Sequence, residues 1–135
     1  MLLVRAKAAA SQIHGVGLIA QEFIAAGTIV WKFKRGFDLE IKEKDLETLS
    51  LTAREQVLYY ACWNEATRTF VLSSDDDRVT NHSDNPNTRC RDDCTYAVRD
   101  IQAGEEITSD YTELVVLNFE APKSQDAGDG LKVQG

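Results

Sequence analysis

Short runs of apolar and β-branched residues recur along the first third of the chain. Residues 2–5, 16–20 and 27–33 form three such runs, separated by polar residues and glycines. This composition is typical of β strands bounded by turns, and a helix is disfavoured there. The pattern therefore predicts three short strands.

Three further strands are predicted in the second half of the chain, over residues 69–73, 95–99 and 106–111. A turn at 102–104 separates the last two. Asn, Asp, Ser and Pro crowd together over residues 81–87, which favours a loop over regular structure. The chain is therefore predicted to be mostly β.

One helix is predicted near the middle of the chain. Thr52 and Glu55 have the spacing of a capping box, which opens a helix. A short helical turn is expected before it, over residues 45–49. The helical residues expected to face inward are Val57, Leu58 and Ala61.

The chain has 135 residues, which suits a single domain with one sizeable core. Its 43% hydrophobic and 27% charged residues are ordinary for a soluble globular protein. No apolar run approaches the roughly 20 residues that span a bilayer, so no membrane segment is expected. Because Arg5 and Lys7 interrupt the apolar start, no signal peptide is predicted and the cytoplasm is the expected compartment.

The charge balance narrows the choice of partners. There are 22 acidic and 15 basic residues, giving a net charge of −7. Direct nucleic-acid binding needs clustered Lys and Arg that replace phosphate counterions, so it is not expected. An acidic protein suits a basic peptide or a lysine-containing protein instead. The acidic runs at 75–77 and 92–93 are expected to be solvated loop residues.

The cysteines do not indicate a disulfide framework or a metal site. Cys62, Cys90 and Cys94 are an odd number in a chain without a secretion signal, so reduced thiols are expected. Cys90 and Cys94 supply only two thiols, and His14 and His82 belong to other motifs. A four-ligand zinc site is therefore not expected.

The first candidate motif is the segment IHGVGL at residues 13–18, where two glycines flank a valine. Such glycines suit a backbone that turns tightly or approaches a ligand, although a plain β turn explains them as well. Gly15, Gly17 and Ala20 also match a dinucleotide fingerprint, with Asp38 downstream. That interpretation is disfavoured because polar residues, rather than a buried strand, lead into the first glycine.

Two later segments are weak evidence when each is taken alone. The first, NHSDNPN at residues 81–87, carries amides and an imidazole that can bind a polar ligand or satisfy their own loop. The second, IQAGEEITSDY at residues 101–111, is a turn followed by a strand that ends on a tyrosine.

Together, the order and spacing of these three segments resemble the SET-domain lysine methyltransferases. The resemblance extends from about residue 4 to Tyr111 and looks closest to short stand-alone SET proteins of bacteria and viruses. It implies a mostly β fold of the β-clip type, with small curved sheets and one or two short helices. It also implies a C-terminal pseudoknot that brings Asn81 and His82 beside Tyr111. We predict a SET domain over residues 1–119 and a flexible tail over 120–135.

The resemblance implies that the chain binds S-adenosylmethionine and transfers its methyl group to a protein lysine. Tyr111 would be the catalytic residue, and His82 would have no acid-base role. The cofactor-binding residues would be His14, Gly15, Val16, Gly17, Asn81, His82, Tyr111 and Phe119, and the substrate-channel residues would be Tyr59, Tyr60 and Ser109.

The sequence departs from the family in two respects. Many histone-directed members carry a cysteine-rich tail that binds zinc and completes the lysine channel, and this sequence has no such cluster. Residues 114–119 are expected to fold over the cofactor instead, with Phe119 as the lid. Two positions before the catalytic tyrosine the family often has Phe or Tyr, whereas Ser109 stands here. This small residue leaves room for di- or trimethylation. Tyr59 and Tyr60 equally suit core packing.

Two hypotheses of different classes follow. The first is a protein-lysine methyltransferase. The alternative is a non-catalytic SET-fold module that binds a protein partner, which the missing cysteine-rich tail and the unassigned lid favour. Compact relatives without the tail can complete their sites by pairing, so a homodimer stays open.

Overall fold

The computed structural model describes residues 1–91 and 94–113, and its regular structure there is mostly β. This part of the chain contains one α helix, α1 (Leu51–Tyr60), and 3₁₀ helices at Glu43–Thr48, Asp76–Val79 and Tyr111–Glu113. The strands are β1 (Ala6–Ala10), β2 (Val16–Ala20), β3 (Ile29–Lys32), β4 (Leu39–Lys42), β5 (Cys62–Asn64), β6 (Thr69–Leu72), β7 (Asn81–His82), β8 (Thr88–Arg91), β9 (Cys94–Ala97) and β10 (Glu106–Ser109).

The strands form three small sheets, which confirms the predicted architecture. Their orders are β1-β2-β10-β7, β3-β9-β8 and β4-β6-β5. Strand β10 lies between β2 and β7, antiparallel to β2 and parallel to β7. Thr108 pairs with Asn81, and Ser109 pairs with His82. The late strand β10 is therefore inserted inside the sheet, which places Tyr111 beside Asn81 and His82 as predicted.

Two separate hydrophobic clusters stabilise the sheets. The first lies under β2 and β10, and the second packs α1 against β5 and β6. In the second, the Trp63 and Phe70 ring centroids are 4.9 Å apart, a favourable tilted contact. The first cluster consists of Leu18, Ala20, Ile24, Val30, Ala97, Ile101 and Ile107, and the second of Val57, Ala61, Trp63 and Phe70.

The helix confirms most of what was predicted for it. Val57 and Ala61 are buried, and Leu58 packs against their cluster. The cap was predicted wrongly: Ser50, not Thr52, is the N-cap, and its hydroxyl accepts the Ala53 N–H. In the part of the chain that the structure describes, no helix is long and apolar enough to cross a membrane.

The strand predicted over residues 2–5 is wrong. Leu2 forms only an isolated bridge with Trp31, and the strand begins at Ala6. Alanine has little preference for strands, so β1 depends on its pairing with β2, which runs from Ala6 opposite Ala20 to Ala10 opposite Val16. Strands β4, β5 and β8 were also not predicted.

Two segments predicted as loops also have regular structure. Asn81–His82 is a strand, because it pairs with β10 despite its loop-like composition. The acidic run enters a 3₁₀ helix instead of lying free in solvent. Asp75 accepts the Leu2 N–H at 2.7 Å, and Asp76 accepts the Ala8 N–H at 2.9 Å.

The observed cap can be tested against the predicted one. We expect Ser50→Ala to lower the free energy of unfolding by about 1 kcal/mol, because the Ala53 N–H loses its acceptor. Thr52→Ala should change it by less than about 0.5 kcal/mol, as is usual for surface substitutions. Urea denaturation of both variants measures the difference, and equal losses would contradict the assignment of Ser50 as the cap.

Candidate functional site

The side chain of Asn81 connects the glycine segment to β10. Asn81 is 2% exposed, and its Nδ2 lies 3.1 Å from the His14 carbonyl oxygen and 3.2 Å from that of Val16. The same nitrogen is 2.8 Å from Glu106 Oε2 and 3.1 Å from Ser11 Oγ. An amide has two protons to share among these acceptors. Asn81 therefore fixes the path of the glycine segment.

Gly17 and Gly15 are required for different reasons. A Cβ on Gly17 would collide with the Glu106 carboxylate and come within 3.0 Å of Asn81 Nδ2. Glu106 cannot move aside freely, because its Oε1 accepts the Ser11 hydroxyl at 2.7 Å. Gly15 instead has a φ of 48°, which favours glycine. No heavy atom would lie within 4 Å of an added Cβ there, so the space above Gly15 is open.

His82 is held by contacts on both ring nitrogens. Its Nδ1 is 3.0 Å from the Tyr111 backbone N–H, which can only donate. In the neutral ring Nε2 therefore carries the proton and donates to Asp84 Oδ1 at 2.9 Å. The imidazole thus positions the start of the last 3₁₀ helix, which agrees with a structural role for His82.

Tyr111 is buried next to this histidine. The centroids of the two rings are 5.3 Å apart, and the Tyr111 hydroxyl donates to the Thr80 carbonyl at 2.7 Å. Beside it, hydrogen bonds from the hydroxyl and the N–H of Thr112 hold the pKa of Asp110 below its usual range. Asp110 is therefore ionised at neutral pH.

A cavity of about 530 Å³ lies between the two hydrophobic clusters. Val30 and Ile107 of the first cluster and Trp63 of the second contribute to its wall. Thr80 also lines it, so the cavity adjoins the carbonyl that binds the Tyr111 hydroxyl. Other lining residues come from β3, β5, β8, β9 and β10.

Two buried polar atoms in residues that line the cavity have no hydrogen-bond partner in the described part of the chain. They are Ser109 Oγ and Trp31 Nε1. Ser109 is only 4% exposed. Buried polar groups are normally paired, so a water molecule or a ligand can supply the missing partner at such atoms.

Asp77 also lines the cavity. Its Oδ2 accepts the Ser73 hydroxyl at 2.8 Å. Burial raises the pKa of Asp77 to about 6, although the hydrogen bond from Ser73 opposes this effect. A carboxylate is therefore kept near the interior at a cost in stability.

The predicted site residues fall into two groups. The structure brings the glycine segment together with Asn81, His82 and Tyr111, whereas Phe119 lies outside the described residues. Of the predicted channel residues, Tyr60 and Ser109 line the cavity. Tyr59 does not line it, and its ring packs edge-on against Tyr60, with centroids 4.6 Å apart, so its assignment to a substrate channel stays a prediction.

Several residues of the site were not predicted from the sequence. Glu106 lies in the candidate segment at residues 101–111, but nothing in that segment indicated a contact with Gly17. Ser11 and Thr80 belong to none of the three candidate motifs, so the sequence did not indicate a role for them. Asp77 was interpreted as a solvated acid. Asp38, the acid of the rejected dinucleotide fingerprint, is buried and accepts the N–H groups of Lys34 and Ser74.

No disulfide joins Cys62, Cys90 and Cys94 in the described part of the chain. Burial raises the pKa of Cys62 above its usual range, which makes it a poor nucleophile. Within residues 1–91 and 94–113, no three His, Cys, Asp or Glu side chains are grouped to hold a metal ion.

Comparison with known proteins identifies one family. The family model described as SET domain matches residues 15–112, more than half of the chain. A search of curated proteins finds no match.

Several solved structures share the fold. A candidate histone methyltransferase of Plasmodium falciparum is 21% identical with a TM-score of 0.60, and the match covers 82% of this chain and 95% of that one. A humanized mutant of Chaetomium thermophilum Polycomb Repressive Complex 2 bound to the inhibitor GSK126 is 20% identical, with a TM-score of 0.59. An apo form of the complex with two mutations in Ezh2 is also 20% identical, with a TM-score of 0.64. The matches cover 82% and 84% of this chain but only 15% and 16% of those two chains.

The contact between Gly17 and Glu106 can be tested by a double-mutant cycle. We expect Gly17→Ala to lower the free energy of unfolding by about 2 kcal/mol, a usual cost of overpacking. In a Glu106→Ala background the same substitution should cost less than about half of that, because the blocking carboxylate is gone. Chemical denaturation of the four proteins measures the coupling, and an unchanged cost would show that the carboxylate is not the obstacle.

Proposed function

This chain belongs to the SET-domain family, and from that premise we propose that it is an S-adenosylmethionine-dependent methyltransferase that acts on a protein lysine. The observation that carries the proposal is the arrangement at the end of β10. There the Tyr111 hydroxyl binds the carbonyl of Thr80, a residue that lines the cavity, and the Ser109 hydroxyl in the cavity wall has no partner among the described residues. The glycine segment that Asn81 holds in place suits a cofactor, and the cavity suits an amine.

The residues around Gly15 fit S-adenosylmethionine. The open space above Gly15 lets a ligand approach the backbone that Asn81 holds in place. The carboxylate of Asp110 lies beside His82 and favours a cation such as a sulfonium or ammonium group. When bound, the cofactor would supply the electrophilic methyl group. The residues proposed to hold it are His14, Gly15, Val16, Gly17, Asn81, His82 and Tyr111, with Phe119 as the proposed lid.

The hydrogen bond of Tyr111 determines what its hydroxyl can do. Its proton is committed to the Thr80 carbonyl, so toward a substrate amine its oxygen can act only as an acceptor. Accepting an N–H of the substrate amine would orient the nitrogen lone pair away from the phenol. Alignment of this kind can lower a barrier by several kcal/mol.

The amine must also lose its charge. A lysine ammonium has a reference pKa near 10.4, so the neutral amine costs about 4 kcal/mol at pH 7.4. Apolar walls disfavour the ammonium and lower this cost. Val30, Trp63 and Ile107 provide such walls around the cavity.

The proposed substrate is a lysine-containing protein or basic peptide. The net charge of −7 attracts basic partners over long range and repels nucleic acids. The names of the similar structures include a histone methyltransferase, so histone peptides are a rational first set of acceptors.

The proposal is tested with Tyr111→Phe. We expect the wild type to bind S-adenosylmethionine in calorimetry and to methylate a peptide of the histone set. Tyr111→Phe should bind the cofactor within about threefold of wild type and lower kcat at least about tenfold, because the phenol orients the amine rather than the cofactor. Tyr96→Phe is the matched control. Tyr96 does not line the cavity, and Phe can keep its contact with Arg91.

The outcomes separate the enzyme from the non-catalytic module. Cofactor binding without turnover on any basic acceptor would favour the module. The absence of cofactor binding would reject both the cofactor and the enzyme. An equal loss of activity in the two phenylalanine variants would remove the specific role of Tyr111.

The size of Ser109 leads to a prediction about product. We expect mass spectrometry to detect di- or trimethyllysine with the wild type, because a serine side chain leaves room for methyl groups. Ser109→Phe should stop at monomethyllysine, whereas Ser109→Ala keeps the space and should give the wild-type products. Calorimetry with the cofactor checks that the variants are folded. Strict monomethylation by the wild type would contradict the prediction.

A further inference from the structure

Asp77 has unused capacity to accept hydrogen bonds. Ser73 occupies Oδ2, and the nearest hydroxyl to Oδ1 is that of Thr80, at 3.5 Å. The Thr80 proton is directed to the Asp77 backbone carbonyl at 2.7 Å. Oδ1 is therefore left to accept from a further donor.

Among the described residues Asp77 forms no ion pair with a side chain, and the N-terminal ammonium of Met1 only partly offsets the burial of its charge. Arg78 lines the cavity, but its guanidinium lies over the Tyr60 ring at 5.8 Å. Of the three acids in the cavity wall, Asp77 is therefore the one that is half-buried without an ion pair, since Glu40 is exposed and Glu65 pairs with Arg68.

A second observation, independent of the acidic run, points to a ligand in the same cavity. Ser109 is 4% exposed, and its hydroxyl has no partner among the described residues. Asp77 comes from the 3₁₀ helix after β6, and Ser109 comes from the end of β10. Two distant segments therefore line one cavity, and each contributes an oxygen that can accept a hydrogen bond.

We propose that Asp77 binds the ammonium group of the substrate lysine as it enters the cavity, with the Ser109 hydroxyl as a second acceptor. This assignment rests on the proposed function, which makes the cavity a lysine site. It makes Asp77 a specificity-determining residue that selects a cationic side chain over a neutral one of equal size. A charge-assisted hydrogen bond to a carboxylate is among the stronger contacts that a protein can offer an amine.

Isolated side-chain analogues test this inference without turnover. The probes are n-butylammonium, which reproduces the lysine side chain, and the neutral 1-butanol. Each is titrated into the full chain, and the amide resonances of Thr80 and Ser109 are followed by NMR. We expect the wild type to bind n-butylammonium more tightly than 1-butanol, a comparison that depends on no variant.

Asp77→Asn should weaken n-butylammonium binding at least about fivefold, because it removes the charge that assists the hydrogen bond. It should leave 1-butanol binding unchanged. Asn keeps the volume and an acceptor for Ser73, so the fold should persist, which a thermal unfolding scan checks. Asp76→Asn is the matched control. Asp76 is on the same 3₁₀ helix but does not line the cavity.

Equal affinities of the wild type and Asp77→Asn for n-butylammonium would overturn the inference. So would a wild type that binds both probes equally or neither. An equal loss of n-butylammonium affinity in Asp76→Asn would show that the effect comes from long-range charge alone, and would also overturn the inference. Failure of the proposed function would appear separately, as a lack of cofactor binding or methyl transfer in the wild-type protein.

Discussion

The hydrogen bonds of the Asn81 amide are the constraint on which the site depends. Asn81 connects the carbonyls of His14 and Val16 to Glu106, which lie far apart along the chain. The amide is almost fully buried, so its loss would leave the carbonyl oxygens and the carboxylate that it contacts without this donor. The glycine segment and β10 are therefore fixed relative to each other, and Gly17 has space for nothing larger than hydrogen.

The insertion of β10 between β2 and β7 extends this constraint to the tyrosine. Parallel pairing with β7 sets Ser109 opposite His82, and the imidazole then accepts the Tyr111 N–H. The hydroxyl of Tyr111 in turn meets the Thr80 carbonyl. Each of these bonds joins segments about 30 residues apart. The position of the phenol therefore depends on the pairing of β10 with β7. Such a site forms only when the nonlocal pairing is complete.

The features that could be predicted from the sequence are those that depend on the local pattern of apolar and polar residues. Strand β2 and the inward side of α1 follow from short-range periodicity, and the three motifs indicated which segments meet. Contacts between distant segments were not accessible. The alanine-rich β1 is a strand only because β2 pairs with it. The Glu106 carboxylate restricts the residue at position 17 only because the fold brings it beside Gly17. Ser50 displaced Thr52 as the cap because the helix begins before the capping-box pattern.

The cavity explains why the two hydrophobic clusters do not merge into one. Filling it with apolar side chains would add to stability, yet the structure places the half-buried carboxylate of Asp77 there. Ser109 and Trp31 also line it, and their buried polar atoms have no hydrogen-bond partner among the described residues. Burial raises the pKa of Asp77 to about 6, so at neutral pH the folded state holds mostly a carboxylate that the interior disfavours. Departures of this kind from efficient packing concentrate at functional sites, where a ligand supplies the missing partners. The polar groups of the cavity are therefore better explained by what enters it than by what they do for the fold.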